Sequence, residues 1–107
     1  MVVNRFEVWY VNLDPTIGSE ISKVRPCLII SPNNTNRYLN TVTVAALTST
    51  RKRFPTRVNC FFNDWERQVA LDQIRSVDKR RLISRIGELD EFTAKEVCQK
   101  LQQIFSY

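Results

Sequence analysis

The sequence predicts a small, mainly β protein: an antiparallel barrel or sandwich with one helix appended at the C-terminus. Three observations predict it. Short apolar stretches rich in branched and aromatic residues recur between turn signals every ten or so residues along 5–74. The period then changes, with Val97, Leu101, Ile104 and Phe105 falling on one helical stripe. Finally, 107 residues of ordinary globular composition, 43% hydrophobic and 25% charged, leave room for one domain over 1–107.

The opening Arg5–Leu13 has the aromatic and branched composition of a strand. Asp14-Pro15-Thr16-Ile17-Gly18 breaks it, because Pro15 fixes its own φ and Gly18 permits a left-handed turn, so a loop is expected over 14–24, running on to Pro26. Cys27–Ile30 is too short and branched for a helix and reads as strand. Ser31–Asn36 is turn-like, and Thr41–Leu47 is another buried strand. Thr56–Phe62 and Gln68–Ile74 continue the cadence, with Asn63-Asp64 as the hairpin turn between them. A short helical turn is expected at Ser76–Arg80. Thr93 followed by Glu96 matches a capping box, which predicts a helix over 93–105 with Phe92 and Val97 as its hydrophobic staple.

Composition excludes several classes of function. The longest apolar stretches, Val42–Leu47 and Cys27–Ile30, fall far short of the roughly 20 residues of a membrane span, and Met1–Arg5 holds no long apolar signal; a soluble, cytoplasmic protein is expected. Cys27, Cys60 and Cys98 are odd in number and widely spaced, and read as small apolar residues rather than a disulfide frame or metal site. There is no histidine, which removes both the commonest metal ligand and the commonest general base. The net charge of +5 is concentrated in 51–87, where ten Lys and Arg face four acids. Its clusters are Arg51-Lys52-Arg53 with Arg57, and Arg75 with Lys79-Arg80-Arg81 and Arg85. Such density suits a phosphate-rich partner and equally a solvated face.

Four segments in order carry a resemblance: Glu7–Glu20, Lys23-Val24-Arg25-Pro26, Leu47-Thr48-Ser49 and Leu71–Leu82. Together they resemble the MazF/PemK (Kid) toxins, the ribonuclease halves of bacterial toxin–antitoxin pairs. The resemblance covers nearly the whole chain. It implies a homodimeric, SH3-like antiparallel barrel of the CcdB/Kid/MazF kind that cuts single-stranded RNA, mRNA included, at short sequences with no metal or other cofactor. It also implies a cognate MazE-like antitoxin whose tail lies over the RNA groove.

Carried over residue by residue, the resemblance gives Arg25 and Thr48 as catalytic, and matches Glu20 and Asp72 to acidic positions used in some branches. RNA contact is expected from Arg51, Lys52, Arg53 and Arg75, and from Ser19, Ser49 and Gln73 beside the catalytic candidates. Three positions depart from the pattern. Ser19 replaces a histidine of the Kid/PemK branch, Ala70 falls where that branch has an arginine, and Phe6 replaces a usual glycine; the set favours a MazF-like Arg25–Thr48 pair.

The chemistry works without histidine because the 2′-hydroxyl of RNA is itself the nucleophile. The enzyme must accept its proton, stabilise charge on the phosphate and protonate the departing 5′ oxygen. Arg25 offers a fixed fork of donors for phosphate oxygens, Glu20 is the candidate base, and Thr48 can hold near-attack geometry. Read without the family, Arg25 is an ordinary surface residue where a strand begins, Thr48 a strand-end residue, Glu20 an exposed loop carboxylate and Asp72 a partner for Arg75. Trp9, Tyr10 and Trp65 are read as core or as stacking platforms for bases. A non-catalytic nucleic-acid-binding barrel and a CcdB-like gyrase poison stay open as alternatives.

Overall fold

β1 (Glu7–Asn12), β2 (Val24–Ile29) and β3 (Thr41–Thr48) are antiparallel neighbours at the centre of the sheet, described here from a computed structural model covering residues 1–107. Their side chains alternate between two separate cores. Val8, Leu28, Ala45 and Leu47 face one; Trp9, Val11, Cys27, Ile29, Val42, Val44 and Ala46 face the other. A strand buried on both faces must be apolar nearly throughout, which is why Cys27–Ile30 and Thr41–Leu47 read as runs rather than as alternating patterns. Each such Val, Leu or Ile side chain contributes about 1.5–3 kcal/mol through its removal from water.

The first core is covered by a hairpin of β4 (Arg57–Phe62) and β5 (Trp65–Ala70), through Val58, Cys60, Phe62 and Val69, and by Val97 of α2 (Glu91–Phe105). The second is wrapped by the sheet itself. β6 (Arg75–Asp78) pairs with β3, and β7 (Leu82–Glu88) pairs with β1 on the opposite side. One 3₁₀ turn, Lys79–Arg81, joins the two, so the five-strand run curls round and Val77 and Leu82 meet in the same core. The far edge of β3 is divided: Thr41–Val44 pairs with β6, and Leu47–Thr48 with β5.

The Asn63-Asp64 turn is as expected, both residues having the positive φ (50° and 63°) of a two-residue hairpin. Other expectations are corrected. β2 begins at Val24 and includes Pro26, which pairs with Tyr10 of β1 at a level where β3 is no longer its partner, so the missing N–H leaves no gap in a ladder. Ser31–Asn36 is not a simple turn, since Asn33–Tyr38 forms a short helix, α1. Buried Asn36 holds it, donating to the Ser31 carbonyl at 2.9 Å and accepting from the Ser31 hydroxyl at 2.6 Å. The strand expected over Gln68–Ile74 runs from Trp65 to Ala70 and gives way to a 3₁₀ turn, Leu71–Gln73. Ser76–Arg80 is strand before it is a turn, and β7 was not anticipated at all.

The helix cap also differs. α2 starts two residues early with Asp90 as N-cap, whose carboxylate accepts from both the amide and the hydroxyl of Thr93 at 2.9 Å. Aspartate caps at least as well as threonine and adds a charge that suits the helix N-terminus, so it displaces the Thr93–Glu96 box. Phe92, the expected staple, lies exposed. Asp90→Ala should cost about 1 kcal/mol of stability while Asp90→Asn keeps most of it; equal melting temperatures for Asp90→Ala and wild type would refute this cap.

Candidate active site

β2 and β3 are in register from Cys27 opposite Ala46 to Ile29 opposite Val44. Continuing that register two residues beyond its last pair brings Arg25 level with Thr48, at the end where β3 leaves β2 for β5. The opening so formed is a cleft of about 290 Å³ whose walls include Arg25, Thr48, Ser49, Lys52, Glu20 and Gln73. Residues far apart in sequence converge here because two strand ends and two loops, 13–23 and 49–56, meet at one end of the curled sheet.

Each side chain has capacity left over. Arg25 donates Nε–H to the Ser22 carbonyl at 3.1 Å, while its terminal NH₂ groups have no protein partner. Thr48 Oγ1 accepts from the Thr50 amide at 3.1 Å, so its own proton remains to be given. Glu20 accepts the Ile17 amide at 2.5 Å through Oε1, and its second oxygen is unengaged. An anion entering the cleft therefore meets unused donors from Arg25, Thr48 and Lys52, with one carboxylate beside them.

Asp72 does not line this cleft, and its partner is Arg57 rather than Arg75. Both of its oxygens are held by the guanidinium, at 2.7 Å and 3.3 Å, and Thr56 donates to it at 3.1 Å. Burial pushes the Asp72 carboxyl pKa up, but the Arg57, backbone and Thr56 hydrogen bonds and the Arg57 charge outweigh that and hold it below the usual range. Arg57, whose side chain is only 6% exposed, also donates to the Thr50 carbonyl at 3.5 Å. It thus fastens the 49–56 loop to the Leu71–Gln73 turn and is itself part of the cleft wall. In the sequence Arg57 is one more cation of a basic cluster, and nothing local marks the aspartate fifteen residues on as its partner.

The remaining candidates divide. Arg51, Lys52 and Arg53 line a neighbouring groove of about 640 Å³, where Phe54 lies under the Arg57 guanidinium, 5.3 Å from it. Ser19 and Arg75 line an adjoining cavity of about 440 Å³ under the 13–23 loop, and Arg75 is committed to the Leu13 carbonyl at 2.9 Å. Gln73 has its amide taken up by the same loop. Gln68, not singled out from sequence, grips Lys52 by both backbone groups, at 3.0 Å and 3.1 Å. Of the aromatic candidates, Trp9 is core, while Tyr10 and Trp65 are exposed. Cys27 and Cys60 are buried, and burial pushes their thiols up to about 12 and about 11. No three His, Cys, Asp or Glu side chains are grouped closely enough to hold a metal ion, and no helix is long and apolar enough to cross a membrane.

Fold and cleft together define a small antiparallel β protein with a cleft of unengaged cationic and hydroxyl donors at one end of its curled sheet. Within that class the assignment is specific: the family model described as PemK-like, MazF-like toxin of type II toxin-antitoxin system matches residues 4–105, and the chain belongs to this family. It is 35% identical over 108 residues to endoribonuclease EndoA of Bacillus subtilis, covering 95% of this chain and 93% of that one. The crystal structure of MazF from Deinococcus radiodurans superposes with a TM-score of 0.87 at 26% identity, covering 100% and 99% of the two chains. An endoribonuclease in complex with its cognate antitoxin, from a mycobacterial species, gives 0.80 at 27% identity, covering 94% and 92%. One departure from the family now has a structural expression. Phe6, which the resemblance sets against a glycine, sits at φ 69°, a strained region for a bulky residue, and its ring packs against the first core.

Asp72→Asn should destabilise the protein by about 1–3 kcal/mol, by leaving a nearly buried guanidinium without its counter-charge. Because the folded-state pKa of Asp72 is lowered, its contribution is complete above the ordinary value of 3.8 and is lost as pH falls below it. The gap between wild type and variant, followed by denaturant melts from pH 7 downwards, should therefore close in acid. A gap that does not begin to narrow as pH falls below 3.8 would count against the ion pair.

Proposed function

We propose that this toxin is a sequence-selective endoribonuclease that cuts single-stranded RNA, mRNA included, and is neutralised by a cognate antitoxin. The observation that carries the site assignment is the convergence of Arg25, Thr48 and Glu20 on one cleft, each with an unused donor or acceptor. The free oxygen of Glu20 takes the proton from the 2′-hydroxyl as O2′ closes on phosphorus. The NH₂ groups of Arg25 and the Thr48 hydroxyl take the charge that builds on the non-bridging oxygens. As the P–O5′ bond breaks, a late proton from Arg25 completes the departing hydroxyl. The products are a 2′,3′-cyclic phosphate and a 5′-hydroxyl. Asp72 supports this centre by holding Arg57 and takes no proton from the substrate.

The groove of Arg51, Lys52 and Arg53 extends the cationic surface along the RNA chain, and each neutralised phosphate there releases counterions. The same surface suits an acidic antitoxin tail, which would exclude RNA by occupying its path. We read the working form as a cytoplasmic homodimer. We read the reaction as metal-independent because Arg25, Thr48 and Glu20 together offer a group for each of its three tasks.

Arg25→Ala and Thr48→Ala should each slow cleavage by about 10²- to 10³-fold with the fold intact. Wild-type cleavage should continue in excess EDTA and leave 5′-hydroxyl ends. End-mapping of a long RNA checks both at once; activity that vanishes on chelation and returns with magnesium, or near-normal single-turnover rates in either variant, would overturn the mechanism.

A further inference from the structure

Gln73 is the third residue of the Leu71–Gln73 turn, directly after Asp72, and its side chain reaches across to the 13–23 loop. There it makes two bonds. Its Oε1 accepts the Ile21 amide at 2.6 Å, and its Nε2 donates to the Ser19 carbonyl at 3.3 Å. These two backbone groups lie on either side of Glu20. One primary amide thus grips the peptide before Glu20 and the peptide after it, as a neighbouring strand would. The rest of the loop is tied elsewhere: Arg75 and Arg81 donate to the Leu13 and Asp14 carbonyls at its stem, and the Ile17–Glu20 turn closes on itself.

We propose that Gln73 is a positioning residue, which sets Glu20 over the cleft by clamping its two flanking peptide groups and does not itself read the RNA. This rests on the reading of Glu20 as the base. The geometry links two places that the sequence separates by more than fifty residues. Arg57 fixes Asp72, Asp72 and Gln73 share one 3₁₀ turn, and Gln73 fixes Glu20. A single amide side chain is what the position needs, because it must accept from one peptide and donate to the other. Glutamate has no donor for Ser19 and sets a second negative charge beside Glu20; leucine has neither group. The engaged amide is also part of the wall between the polar cleft and the cavity below the loop, so releasing it loosens both.

The test is a double-mutant cycle on Gln73→Ala and Glu20→Gln, read by single- and multiple-turnover cleavage of one oligoribonucleotide. Gln73→Ala should lower kcat by about 10- to 100-fold with KM changed less than about twofold, as for a misplaced reacting group. In a Glu20→Gln background the same change should cost less than about twofold, because a clamp on an absent base has nothing to position. Gln73→Glu, which keeps the reach, should fall as far as Gln73→Ala. Amide exchange supplies a readout independent of RNA: Gln73→Ala should speed exchange at Ile21 and leave the β1–β2–β3 amides protected. A loss mainly in KM that adds fully to that of Glu20→Gln would make Gln73 an RNA contact and overturn the proposal, as would unchanged exchange at Ile21. A wild-type chain that cuts no RNA would remove the reading beneath it, and the exchange result would then separate a clamp without a reaction from no clamp at all.

Discussion

The structure depends on a division within one strand. β3 keeps β2 along one edge, but its other edge is shared between β6 at its start and β5 at its end. Between those pairings lie Ala45 and Ala46, the smallest side chains of the strand and both buried. A strand that serves two sheets must let them diverge, and small residues at the parting allow the backbones to lie close there. The parting produces the two cores, and it also produces the cleft, since Thr48 stands on the portion that has left β2 while Arg25 stands on the portion of β2 left behind. Fold and site have a common origin.

Charge is distributed with a similar economy. The exposed pairs, such as Arg51–Glu66 and Lys95–Glu91, contribute at most about 1 kcal/mol each and leave the surrounding field positive. Two pairs are different in kind because one member is largely shielded from water. Arg57 holds Asp72 at the wall of the cleft, and Glu7, buried in β1, takes Arg85 from β7 while accepting from the Trp9 indole. Burial pushes the Glu7 carboxyl up, but the Asn4, Trp9 and Arg85 hydrogen bonds and the Arg85 charge more than reverse it. In each case the ion pair ties a late segment to an early one, so acids are spent on architecture while Arg25 and Lys52 are left unneutralised at the working end.

What could be read from the sequence was what local chemistry decides. β1, β3 and the β4–β5 hairpin declared themselves through branched and aromatic residues and an Asn-Asp turn, and the final helix through its stripe. The segments that escaped are held by tertiary contacts. α1 is spelled Asn-Asn-Thr-Asn-Arg-Tyr, mostly weak helix formers held in a helix where Asn36 is buried against Ser31 and its carbonyl takes the Lys79 ammonium. β7 is largely exposed, carries Arg85 and Gly87, and pairs with β1 across two register shifts, so no alternation marks it. At the site, the family pattern pointed to Arg25, Thr48 and Glu20, and these do share a cleft. The supports beside it, Arg57 and Gln68, carry no local signal, because a partner fifteen or sixteen positions away is set by the turns between them, which the sequence does not spell out.

Both loops that border the cleft are fastened in the same way, Gln68 on the two backbone groups of Lys52 and Gln73 on the peptides around Glu20. A fastener that holds main chain is indifferent to the side chains it carries past. Residues 19, 49, 51 and 53 are therefore open to replacement without the loops losing their seats, whereas a fastener that held side chains would forbid such change. In a lineage of such proteins, the choice of target can drift while the reacting centre stays where it is. The amides are also uncharged, so ionic strength does not loosen their bonds, and at neutral pH the grip on the loops survives salt at which the grip on a polyanion fades.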